Sequence, residues 1–122
     1  MNQTATYMNI MQESLIRKKS YLQEILELTK EQERLAGEKR FDEEAFNNII
    51  DKKEILINNI NEIDKGFTSV YDRVRSEILD NREYYRGPLT GMQGIIRECV
   101  DLGMAIEAAE ARNRATLEQV FS

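Results

Sequence analysis

The sequence predicts an all-α protein, an elongated antiparallel three-helix bundle or coiled-coil hairpin. Hydrophobic residues make up 41% of the 122 residues and charged residues 32%, which provides enough apolar material for a core. One proline and six glycines leave long stretches without a helix breaker. Apolar residues recur at spacings of three and four along most of the chain, as on one face of a helix. We therefore expect a single helical domain over residues 1–122.

The first helix is expected over about residues 4–36. Its apolar face consists of residues that recur at spacings of three, four or seven: Met8, Met11, Leu15, Leu22, Ile25, Thr29, Gln32 and Ala36. Gly37 follows directly, and we expect it to cap the helix in the left-handed conformation that glycine adopts without strain.

The second helix is expected over about residues 43–86, and its start is the clearest local signal in the chain. Asp42 has the position of an N-cap, whose side chain accepts a hydrogen bond from an amide of the first turn. Phe41 and Phe46 have the spacing of a hydrophobic staple, in which the two side chains pack across the helix start.

Gly66 lies inside the second helix and raises the question of a break. Ser69 and Asp72 have the spacing of a capping box, which fits a new helix start. The apolar positions nevertheless keep one phase on both sides of Gly66. We therefore expect one continuous helix, the longest of the three, ending at Gly87-Pro88.

The third helix is expected over about residues 89–121, and it is rich in small residues. Asn113 interrupts its apolar stripe, and Cys99 lies on that stripe, where we expect a buried and unreactive thiol. Short connections make consecutive helices antiparallel, so the first and third helices run parallel. This arrangement gathers three methionines at one end of the bundle: Met8, Met11 and Met92.

The composition argues against catalysis, nucleic acid and membrane insertion. The chain has no histidine, which removes the commonest general base and most zinc sites, so we expect neither an enzyme nor a cofactor nor a metal. The net charge is -5, without the concentrated basic face that phosphates require. No apolar run approaches the roughly 20 residues that span a bilayer. The N-terminus has no signal-peptide pattern and Cys99 is the single cysteine, so a cytoplasmic location is expected.

Seven short segments carry a sequence pattern that is typical of one family of helical proteins. They are Lys18-Lys19-Ser20-Tyr21-Leu22, Ile25-Leu26-Glu27-Leu28-Thr29, Phe41-Asp42, Lys52-Lys53-Glu54-Ile55-Leu56, Ile63-Asp64-Lys65-Gly66-Phe67, Tyr71-Asp72-Arg73-Val74 and Glu110-Ala111-Arg112-Asn113. Together they resemble the FlgN-type flagellar export chaperones, a helical family with FliT-like members. The resemblance covers nearly the whole chain. It implies a cytoplasmic chaperone of flagellar type III export, which holds the helical termini of hook–filament junction (hook-associated) proteins and delivers them to the export machinery.

The resemblance also implies that the C-terminal helical part binds the client. That part combines small side chains, an interrupted stripe and terminal apolar groups, which suits a client helix lying in a groove. The candidate partner-binding residues are Leu102, Ile106, Ala109, Asn113, Leu117, Val120 and Phe121. These residues equally fit a bundle that completes its own core. The alternative function is a self-associating structural coiled coil or adaptor, and a homodimer is compatible with either function.

Overall fold

The computed structural model describes residues 3–122 and confirms an all-helical, elongated three-helix bundle. The helices are α1 (Gln3–Ala36), α2 (Glu43–Asp80) and α3 (Arg86–Val120), and no strand occurs between residues 3 and 122. Helix α2 is the longest, with 38 residues, and it runs through Gly66 without a break, as the unbroken apolar phase predicts. At 1.5 Å per residue its length is about 57 Å.

The start of α2 forms as expected from its sequence. The amide of Ala45 donates a hydrogen bond of 3.0 Å to Oδ1 of Asp42, which is the N-cap. The rings of Phe41 and Phe46 lie 5.4 Å apart between centroids, which is the staple contact. Because cap and staple are both local, this end of the helix needs little help from tertiary packing.

One expected helix cap and one expected helix end are wrong. Helix α1 does end at Ala36, but no glycine of the described chain has a positive φ, so Gly37 is not a left-handed cap. Its amide donates hydrogen bonds of 3.2 Å to the carbonyl oxygens of Glu33 and Arg34. These bonds close the last turn of α1 while Gly37 keeps a negative φ.

Helix α2 ends at Asp80 rather than near residue 86, and Gly87-Pro88 belongs to the first turn of α3. The side chain of Asn81 donates to the carbonyl oxygen of Glu77 at 2.9 Å, and its φ of -132° leaves the helical range. A short amide side chain that bonds the preceding turn competes with helix continuation. Pro88 is tolerated because first-turn amides lack an intrahelical acceptor.

Helix α1 lies between the other two helices and contributes more buried residues than either of them. One apolar cluster fills the end near the α2–α3 connection, and it joins Met8, Met11, Leu15, Val74, Ile78, Tyr85 and Met92. The expected gathering of the three methionines is therefore confirmed. A second cluster further along the bundle joins Ile25, Leu56, Ile60 and Ile106.

Beyond the second cluster, polar side chains cross the bundle interior. This polar layer consists of Thr29, Gln32, Lys53, Glu110 and Asn113. Nζ of Lys53 donates to Oε1 of Gln32 at 2.8 Å and to Oε1 of Glu110 at 2.9 Å. Nδ2 of Asn113 donates to the carbonyl oxygen of Thr29 at 3.3 Å. The layer therefore ties all three helices together at one level.

None of the helices within residues 3–122 has the length and apolar character needed to cross a membrane.

Candidate helix-binding groove

Helices α2 and α3 both pack on α1, but they do not pack closely on each other. Within the described chain, no Cα atom of α2 lies within 8 Å of a Cα atom of α3. Helices in direct contact have axes about 8–10 Å apart, a distance that normally brings Cα atoms closer than this. A groove therefore runs between α2 and α3, with α1 as its floor.

The half of the groove nearest the α2–α3 connection is mostly apolar. Its lining comes from all three helices: Met11 of α1, Phe67, Tyr71 and Ile78 of α2, and Leu89, Met92, Gln93 and Ile96 of α3. The rings of Phe67 and Tyr71 are stacked, 6.5 Å apart and 7° from parallel. They give the α2 wall a flat aromatic surface.

The other half continues the same channel along α1. Its lining is Leu15, Lys18 and Leu22 of α1, Ile60 of α2, and Ile96, Cys99, Val100 and Gly103 of α3. Ile96 lines both halves, so the apolar surface is continuous. A Cβ atom added at Gly103 would meet nothing within 4 Å, so the wall is open there.

Apolar side chains on the α3 wall remain in contact with solvent. Ile96 is 42% exposed and Val100 is 55% exposed, although Met92 and Cys99 next to them are buried. An isolated exposed apolar residue needs no explanation, but neighbours that line one channel form a patch of the kind that binds a partner.

The groove is bounded by charged contacts. Nζ of Lys18 lies 2.8 Å from Oδ1 of Asp64, and this ion pair joins α1 to α2. Lys19 forms an ion pair with Glu98 that joins α1 to α3. The polar layer closes the far end, because the Lys53–Glu110 pair spans α2 and α3 directly. The Lys53–Glu110 pair therefore marks the far end of the channel.

Cys99 is buried, as expected, and it lines the groove. Burial raises the pKa of its thiol, and the nearby Lys18 and Lys19 oppose that effect only in part. The thiol therefore stays protonated at neutral pH, and it is a poor nucleophile. Among residues 3–122 no group of three or more His, Cys, Asp or Glu side chains is arranged to hold a metal ion.

The structure divides the candidate partner-binding residues into two sets. Ile106, Ala109 and Asn113 are buried against α1, so they belong to the internal core. The others are half-buried or exposed: Leu102 and Leu117 are half-buried, and Val120 and Phe121 are exposed. Their role in partner binding stays a prediction.

Phe121 also makes an internal contact. Its ring meets the ring of Phe41 edge to face, with centroids 5.8 Å apart. The C-terminal end of α3 therefore contacts the connection between α1 and α2.

The groove residues Ile96 and Val100 were not among the candidates, although the sequence carries a signal for them. They lie beside Met92 and Cys99 on α3, and together with Ile106 and Ala109 these residues form an apolar arc of about 180°, wider than the roughly 100° of a stripe that faces one neighbour. The width of this arc indicates the open surface better than nearness to the C-terminus does.

The fold and groove together define a three-helix protein in which α2 and α3 leave an apolar groove between them over α1. Comparisons of the chain with protein-family models, with curated proteins and with solved structures found no match.

Proposed function

We propose that the protein is a chaperone that holds an amphipathic helix of another protein in the groove between α2 and α3. The observation that carries this proposal is the apolar channel over α1, whose walls α2 and α3 have no Cα atoms within 8 Å of each other. A fourth helix in that channel turns an open bundle into a closed four-helix packing. The resemblance to FlgN-type chaperones adds the client class, the helical termini of hook–filament junction proteins in the cytoplasm.

The lining sets the chemistry of the client. Aromatic and aliphatic side chains on α1, α2 and α3 favour a helix with apolar residues at three- and four-residue spacing. Such a helix is aggregation-prone when free, because its apolar face has no partner. Holding it requires neither nucleotide nor metal, so the chaperone acts stoichiometrically.

The proposal is tested by titrating the protein with terminal helical segments of hook–filament junction proteins. We expect saturable binding with one segment per chain. Replacing a groove residue, Ile96→Glu, places a charge in the apolar wall and should weaken binding at least tenfold. The matched control is Ile55→Glu, because Ile55 is 62% exposed and does not line the groove.

Two results would contradict the proposal in different ways. Absence of binding to every junction protein at micromolar concentration removes the flagellar client class. Binding that survives Ile96→Glu but is lost on Val120→Glu removes the groove as the site and favours the C-terminal segment of α3.

A further inference from the structure

Helix α3 has a second heptad stripe, separate from the one that packs on α1. Six residues recur at spacings of four and three, and all six are exposed: Gln93, Arg97, Val100, Met104, Glu107 and Ala111. Met104 is 63% exposed and Val100 is 55% exposed, so the apolar centre of the stripe has no cover. Positions at this spacing lie along one face of a helix, the face that a second helix contacts in a coiled coil.

The stripe is complementary to a second copy of itself that runs in the opposite direction. If a second α3 is placed antiparallel about a two-fold axis at residue 102, Val100 of one copy faces Met104 of the other. The same register places Arg97 opposite Glu107, and the two-fold axis repeats that pair on the other side. Gln93 then faces Ala111 at both ends.

The charges at these positions have no internal partner. Neither Arg97 nor Glu107 forms an ion pair within residues 3–122, whereas other exposed charged residues of α3, such as Glu98 and Arg112, do so with α1.

We propose that α3 forms an antiparallel homodimer with a second copy of this chain through the stripe Gln93–Arg97–Val100–Met104–Glu107–Ala111. A single helix pair over this span, about 27 Å long, buries less than the 1,200 Å² or so of a stable interface, so the dimer is weak. Because Val100 and Gln93 also line the groove, dimer formation and helix binding exclude each other. That last consequence rests on the proposed function, and the dimer itself does not.

The test is sedimentation equilibrium of the protein without any client. We expect the apparent mass to rise from one chain towards two between about 10 and 500 µM, the range of a weak interface. Arg97→Glu and Glu107→Arg should each weaken association at least tenfold, because each creates like-charge contacts at both ends of the two-fold. The combination of the two changes should restore association to within about threefold of the unmodified chain.

Glu54→Arg is the matched control, because Glu54 is exposed on α2 and the change alters net charge as Glu107→Arg does. It should leave association unchanged, and circular dichroism should show equal helicity for all variants. A single-chain mass throughout the concentration range overturns the proposal. Association that neither single charge reversal weakens also overturns it. So does association that the combined reversal fails to restore. None of these results depends on whether a flagellar client binds.

Discussion

Nζ of Lys53 on α2 lies 2.9 Å from Oε1 of Glu110 on α3. Within the polar layer, this ion pair is the one contact that joins these two helices directly. The same ammonium group donates to Gln32 on α1 at 2.8 Å. Lys53 therefore links α2 to both other helices at this end of the groove. Its side chain is 10% exposed, whereas that of Glu110 is 43% exposed, so water already solvates the carboxylate.

Removal of the Lys53 charge should destabilise the fold through Gln32. Lys53→Met leaves the buried oxygen of Gln32 without a donor, which should cost about 1–3 kcal/mol in the free energy of unfolding. Adding Gln32→Leu removes that orphaned oxygen and should recover most of the loss. Urea unfolding of the single and double variants measures both effects, and a double variant less stable than Lys53→Met contradicts the account.

The N-cap of α2 should make a measurable local contribution. Asp42→Ala removes the acceptor for the Ala45 amide and should lower the free energy of unfolding by about 1 kcal/mol. Asp42→Asn keeps an acceptor oxygen and should lie within a few tenths of a kcal/mol of the unmodified chain. Equal losses in both variants would mean that the charge, rather than the hydrogen bond, stabilises the helix start.

The close approach of α3 to α1 should depend on Ala109, which is fully buried. Ala109→Leu adds volume where no space exists and should cost about 1–3 kcal/mol. Ala105→Leu is the matched control, because Ala105 is exposed on the same helix and the change should have little effect. Thermal unfolding of both variants separates packing from helix propensity, and equal melting temperatures would show that Ala109 is not part of the core.

The thiol of Cys99 should make stability depend on alkaline pH. Burial holds its pKa above the unfolded value, so its contribution is fully present below about pH 8.5 and is lost as pH rises through the folded pKa. The charges around it are Lys18, Lys19, Glu98 and Asp64. Between pH 8 and 10 the free energy of unfolding should fall more steeply for the unmodified chain than for Cys99→Ala. Parallel curves would contradict a buried thiol.

Local and periodic signals were sufficient for most of the fold. The start of α2 was predictable because Asp42 and Phe46 act within one turn, and continuity through Gly66 was predictable because the apolar phase did not change. The end of α2 was not, since Asn81 bonds back to Glu77 and stops the helix six residues before Gly87-Pro88 is reached.

The groove was harder to predict than the helices. Periodicity shows that Ile106 and Ala109 lie on an apolar face, but it does not show which neighbour covers that face, and here α1 covers it. The gap between α2 and α3 depends on the side chains that hold each helix on α1. Those pairings join residues far apart in sequence, such as Lys18 with Asp64, and one sequence does not reveal them.

The most direct measurement of the central claim is protection of the groove by a bound client helix. A cysteine is introduced as Ile96→Cys on the groove wall, or as Ile55→Cys on the exposed surface of α2, each in the Cys99→Ala background. The alkylation rate is then measured with and without a saturating terminal segment of a hook–filament junction protein. We expect the rate at position 96 to fall at least tenfold on binding and the rate at position 55 to stay the same. Saturable binding that leaves the rate at position 96 unchanged would contradict the groove as the binding site.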